Sequence, residues 1–135
     1  MSKMNMPTVT GEFGQRPSIS WPEVEPSAGL VVETIIEGTG PTVQAGRQIT
    51  VHYEGQLWGG KQFDSSFNRG EPSVFPIGVG SVIAGWDRGV VGKNVGSRLL
   101  ISVPPKFGYG SRGVPQAGIS GTDTLVFVVD ILSMN

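Results

Sequence analysis

Glycine and proline interrupt this chain so often that long regular elements have little room. Gly occurs 21 times and Pro 10 times in 135 residues, just under the roughly 25–30% combined share at which composition alone suggests a low-complexity chain. Each glycine suits a tight turn, and each proline removes a backbone donor. The expected building blocks are short strands joined by turns, with little helix. About 100 residues suffice to bury a real core, so the length fits one ordinary domain.

The remaining composition removes whole classes of function. Charged residues make up 16% and the net charge is −1, which argues against a polybasic nucleic-acid or membrane-surface binder. With no cysteine and one histidine, neither a disulfide scaffold nor a Cys–His nucleophile can be built, and no metal-ligand spacing exists. No apolar run approaches the ~18 residues of a membrane span. Met1–Pro7 lacks the apolar stretch of a secretory signal, so the expected location is cytoplasmic. No cofactor or metal is implied.

Residues 1–28 read as a Pro-rich, mostly irregular N-terminal arm, with Pro7, Pro17, Pro22 and Pro26 barring helix. Phe13, Ile19, Trp21 and Val24 could let part of it lie on the domain surface. Residues 29–135 form the domain proper. Leu30–Ile36 is β-branched and ends in the turn cluster 37–41. Ile49, Val51, Tyr53 and Leu57 alternate with Thr50, His52 and Glu54, the pattern of a strand with one buried and one wet face. Gly59-Gly60 suits a hairpin reversal into Lys61–Phe63. Ser73–Ile77 contains Pro76 and reads as an edge strand. Arg98–Val103 alternates again, and Thr124–Leu132 is apolar on both faces, as a central strand would be.

One segment has a different period. Ile83, Trp86 and Val90 lie three and four apart, which predicts a helix of about ten residues over 82–91. A helix this short is held only by packing. The expected fold class is therefore α+β, an antiparallel sheet wrapped around one short helix.

Two familiar chemistries fail on inspection. Gly55–Gln62 nearly matches the phosphate-binding loop GxxxxGK[ST], but Gln62 lacks the hydroxyl needed for magnesium and no apolar helix follows. His52, the single available base, falls on the outer side of its strand and reads as solvated. The aromatics remain. Nine of eleven lie between Tyr53 and Phe127, and Tyr53, Phe63, Trp86, Tyr109 and Phe127 sit beside glycines or at segment ends. Most aromatics simply fill a core. An aromatic-walled pocket with a few polar groups, such as Asp64 and the Tyr53 and Tyr109 hydroxyls, would bind a small apolar group.

These residues also carry a resemblance. Val51–Leu57, Gly60–Ser66, Gly80–Gly89, Tyr109-Gly110 and Thr124–Phe127, in order and with matching gaps, resemble the FK506-binding family of peptidyl-prolyl isomerases from about Leu30 to Leu132. The resemblance implies a twisted half-barrel curled over the short helix, and catalysis of cis–trans rotation about X–Pro bonds. It implies that Trp86 floors a proline pocket walled by Tyr53, Phe63, Ile83, Tyr109 and Phe127. Arg69, Phe75, Val82, Val114 and Ile119 would be further substrate-binding residues, with Ile119 reaching in from the loop above. Asp64 would face the pocket and Arg69 would hold it. The Ile83 N–H and the Tyr109 hydroxyl would bond peptide carbonyls. The implied partners are proline-containing peptides, unfolded segments and macrolides of the FK506 and rapamycin type. A monomer is expected, because no exposed apolar heptad or long bare edge is apparent.

Two departures bear on sequence preference and macrolide affinity. Ser73 stands where many relatives carry an aromatic, and the stretch Val114–Ile119 is one residue longer than in the smallest relatives. Asp64 keeps two readings, an electrostatic one and a pocket-shaping one. The second is favoured because no proton moves in this reaction. A non-catalytic proline-binding module is the alternative function, and an oligonucleotide-binding sheet ranks last because a basic groove is missing.

Overall fold

The computed structural model describes residues 6–135, so the first five residues of the expected arm lie outside it. Eight strands and two short helices follow in chain order. They are β1 (Thr8–Thr10), β2 (Ser18–Ser20), β3 (Val31–Ile36), β4 (Gln48–Leu57), β5 (Gln62–Ser65), α1 (Ser66–Arg69), β6 (Ser73–Pro76), α2 (Ala84–Val90), β7 (Arg98–Val103) and β8 (Leu125–Met134). Three single 3₁₀ turns fill the long loop between β7 and β8.

The main sheet is open and wholly antiparallel, in the order β3-β7-β8-β4-β5, with β6 also pairing with β4. β8 lies between β7 and β4 and is buried along most of its length, the place its two-sided apolar pattern predicts. β4 serves two partners on one edge: Gln48–Val51 pair with β6 and Glu54–Gln56 with β5. The chain reverses from β4 to β5 through Gly59-Gly60, closed by the Leu57 N–H donating to the Lys61 carbonyl at 2.7 Å.

One face of the sheet carries the core. Ile49, Val51, Leu99, Ile101, Val103, Leu125, Val129 and Ile131 pack there with Trp86 and Val90 of α2. The helix comes very close to the sheet because its facing positions lack side chains. A Cβ at Gly85 would lie 2.7 Å from a Val103 methyl, so only glycine permits this approach. α2 is shorter than the predicted ten residues. Ile83 is extended, with ψ 152°, and its carbonyl accepts the Trp86 and Asp87 amides as the first helical turn begins.

The opposite face is not wet. The arm, expected to be mostly irregular, contains the hairpin β1–β2, in register Thr8↔Ser20 and Thr10↔Ser18. It covers a second cluster of Met6, Leu100, Val126 and Val128, flanked by Val9, Ile19, Trp21 and Trp58. This second layer explains why all six residues of β7 are buried where alternation predicts half. Beneath it the Arg98 guanidinium donates to both Asp130 oxygens, at 2.6 and 2.8 Å. Arg98 also donates to the carbonyls of Gly11, Glu12 and Gln15, and the Gly14 N–H donates to Asp130 at 2.7 Å. His52, expected to be solvated, is half-buried; its Nδ1 lies 2.7 Å from the Ser66 hydroxyl and its ring stacks on Phe67.

Candidate active site

Alternation along β4 turns Tyr53 toward the core face, and β8 places Phe127 directly opposite Gly55. Only glycine fits at that crossing, since a Cβ at Gly55 would come within 2.9 Å of the Phe63 ring and 3.2 Å of Phe127. The three rings therefore converge where β4, β5 and β8 meet. Phe63 and Phe127 pack edge to face at 5.5 Å. α2 brings Trp86 in from below, and its indole meets Tyr53, Phe75 and Phe127 at ring separations of 5.2, 5.2 and 5.3 Å. Edge-to-face contacts of this kind add about 0.5–1.5 kcal/mol each beyond their burial.

Above the indole lies a cavity of about 380 Å³ lined by Tyr53, Phe63, Asp64, Phe75, Gly80, Ser81, Val82, Ile83, Trp86, Tyr109 and Phe127. Tyr109, on the loop after β7, lines it and stays 44% exposed. Trp86 is only 4% exposed, yet it forms part of the cavity lining. That size suits a small apolar ligand, since such sites run to about 300–1,000 Å³.

The polar groups occupy one wall. The Tyr53 hydroxyl donates to Asp64 Oδ2 at 2.5 Å. The Arg69 guanidinium donates to Asp64 Oδ1 at 2.9 Å, to the Tyr53 hydroxyl at 3.1 Å and to the Ser73 hydroxyl at 3.1 Å. Burial pushes the Tyr53 phenol above its usual range, and its bond to Asp64 adds to the rise while Arg69 works against it. The Tyr109 phenol is raised as well, by burial first and then by the nearby Asp64 charge. Both phenols therefore remain protonated donors at neutral pH. Hydrogen bonds to Tyr53 and Asp64 hold Arg69 above its normal value. On the opposite rim the Ile83 N–H finds no acceptor among the described residues.

The structure brings Tyr53, Phe63, Asp64, Phe75, Val82, Ile83, Trp86, Tyr109 and Phe127 to one cavity, and leaves three of the expected residues off its lining. Arg69 stands behind Asp64 and Tyr53. Val114 and Ile119 bond to each other across the turn Pro115–Ala117, and Ile119 is 4% exposed and packed into the core. The loop closes this turn on itself, and Ile119 packs in the core cluster that also holds Tyr53, Trp86 and Phe127. Sequence reasoning missed Gly80 and Ser81 on the rim, and it missed Asp87. The Asp87 carboxylate accepts the Gly78 and Gly80 amides at 2.6 and 2.9 Å, tying the loop that carries Val82 and Ile83 to α2. An acidic residue in the first turn of the helix, facing a glycine-rich approach, was the available signal. Among the described residues, no group of three or more His, Asp or Glu side chains is placed to hold a metal ion.

Known proteins resemble this chain in sequence and fold. The family model described as FKBP-type peptidyl-prolyl cis-trans isomerase matches residues 40–132. An "FK506-binding protein" of Streptomyces anulatus is 42% identical over 121 residues, covering 89% of this chain and 98% of that one. A "Peptidyl-prolyl cis-trans isomerase" of Schizosaccharomyces pombe is 43% identical, covering 79% of this chain and 96% of its own. The crystal structure of AtFKBP13 superposes with a TM-score of 0.74 at 37% identity, covering 79% of this chain and 94% of that one. On the family match, the identities and the shared fold, this chain belongs to the FKBP-type peptidyl-prolyl cis-trans isomerases.

Proposed function

We propose that the cavity takes a prolyl ring onto the Trp86 indole and accelerates rotation about the bond preceding it. The carrying observation is the cavity lined by Trp86 and its neighbouring aromatic rings, with the Tyr53–Asp64 pair on one wall. Rotation about an X–Pro bond breaks no bond but destroys amide resonance, against a barrier of about 18–20 kcal/mol. An enzyme lowers it by binding the twisted amide better than either planar form. The twisted amide has a less dipolar carbonyl, so apolar walls favour it over the planar ground states. The Ile83 N–H and the Tyr109 hydroxyl supply donors for peptide carbonyls on either side. Each tenfold gain needs only about 1.4 kcal/mol of such preference.

In this reading Asp64 shapes the wall. It holds the Tyr53 hydroxyl and Arg69 in place, and the reaction offers it no proton to transfer. Macrolides of the FK506 and rapamycin type, the first of which gives the Streptomyces relative its name, would compete for the same cavity. Cis-to-trans relaxation of a Leu-Pro peptide with a catalytic amount of protein tests the proposal. Acceleration that a macrolide abolishes supports it, while a stable complex without acceleration leaves a proline-binding module. The Asp64→Asn variant then assigns the carboxylate. Near-wild-type turnover is expected, and a rate collapse at unchanged stability would transfer the role to its charge.

A further inference from the structure

The outer face of the sheet carries a closed ring of side-chain hydrogen bonds that the proposed mechanism does not use. Arg16, from the arm, donates to Glu54 on β4 at 3.2 Å and to Asn68 on α1 at 2.8 Å. Asn68 donates to the Gln62 carbonyl oxygen at 2.7 Å, and Gln62 on β5 donates back to Glu54 at 2.7 Å. Gln56 joins the ring by donating to Glu54 at 3.0 Å, and accepts the Trp21 indole N–H at 3.2 Å. The arm thus contributes two donors, one from each side of β2. The Glu54 side chain is 4% exposed, and Arg16 is the cation beside it.

The placement of this ring is what matters. Phe63 and Asp64, both on the cavity wall, lie in sequence between Gln62 in the ring and Ser65, whose hydroxyl is 3.5 Å from Arg16. α1 is a single turn, with Asn68 bonded to Arg16 on the outer face and Arg69 bonded to Asp64 and Tyr53 on the cavity side. The Arg16 guanidinium also lies over the Phe67 ring at 5.7 Å. A strand of four residues and one helical turn hold no shape alone. Pairing with β4 and the Ser66 hydroxyl on the Tyr53 backbone anchor one side of the unit, and the side-chain contacts on its two faces hold the rest.

We infer that Arg16 is a positioning residue for the isomerase site: through the outer-face ring it fixes β5 and α1, and with them Phe63, Asp64 and Arg69. The inference rests on the function proposed above for the cavity, but its test does not depend on activity alone. In the full chain, Arg16→Met keeps an unbranched apolar stem and removes the donors. It should lower kcat/KM on the Leu-Pro peptide about three- to tenfold, under conditions where the variant is fully folded. Arg16→Lys keeps the charge beside Glu54 with fewer donors and should recover part of the loss. Val43 is buried in the main core cluster and makes no contact in the ring. Val43→Ala, whose stability is measured alongside, provides a control for simple destabilisation and should leave kcat/KM unchanged. The second readout is the NMR signals of the Phe63 and Tyr53 rings, together with the alkaline titration of the Tyr53 phenol. Both should move in Arg16→Met and not in Val43→Ala. Wild-type kcat/KM together with unmoved ring signals in Arg16→Met would overturn the inference. Should the wild-type chain fail to accelerate the peptide, the proposed function falls, and the ring signals alone decide whether Arg16 positions the wall.

Discussion

Trp86 meets three aromatic rings in the core and also lines the cavity, so one side chain belongs to both. Truncating a buried aromatic costs about 3–5 kcal/mol. Trp86→Ala should therefore lower stability by that amount in denaturant unfolding and abolish ligand binding as well; loss of binding at unchanged stability would deny the indole its place in the core. The phenols offer a test by pH. Both Tyr53 and Tyr109 are raised above the ordinary value of 10.0, so folding favours their protonated forms. Their contribution to stability is complete below pH ~10 and fades as pH climbs through the higher folded values. Ultraviolet titration should find less than half of the tyrosine ionised at pH 10 in the folded chain, and the usual half in denaturant. These residues were legible early because aromatics beside glycines and at segment ends stand out in a chain with few charges. The Tyr53–Asp64–Arg69–Ser73 contacts were only partly so, since spacing along a strand does not say which donor reaches which acceptor.

Among the elements, α2 and the loop before it form one unit. Asp87 joins them through the Gly78 and Gly80 amides, and hydrogen bonds to a charged acceptor contribute about 1.5–3 kcal/mol. Asp87→Ala should lower stability by about 1–2 kcal/mol, since the loop is partly solvated. It should also reduce kcat/KM several-fold, because Val82 and Ile83 lose their fixed position; amide exchange at Gly78 and Gly80, the two amides that Asp87 holds, would rise in parallel. Strand periodicity located β3, β4, β6, β7 and β8 to within a few residues. It could not locate α1, whose four residues lack any repeating pattern. The length of α2 also escaped it, because Val82 and Ile83 have helical spacing yet Val82 lies in a bend and Ile83 is extended.

For the whole molecule, the second layer is the main addition. Arg98 and Asp130 form a fully buried pair wrapped by the backbone of residues 11–15. Removing one member of such a pair leaves a buried charge alone and costs about 3–5 kcal/mol. Asp130→Ala should therefore destabilise the fold by that amount and release the arm, seen as increased proteolysis near residues 11–15; a small loss with the arm still protected would mean that the apolar cluster holds it unaided.

The chain alone determined the class of its fold, the inward side of each long strand, the helix under the sheet and the aromatic set of the cavity. All of these follow from local periodicity and the order of short motifs. Only the tertiary structure decided that the outer face is covered, that Val114 and Ile119 close on each other, and that Arg16 and Arg98 bind partners far along the chain. Arg98 reaches Gly11 across 87 positions and Arg16 reaches Asn68 across 52. Contacts over such separations leave no period in the sequence, because which polar groups meet is set by how the layers stack.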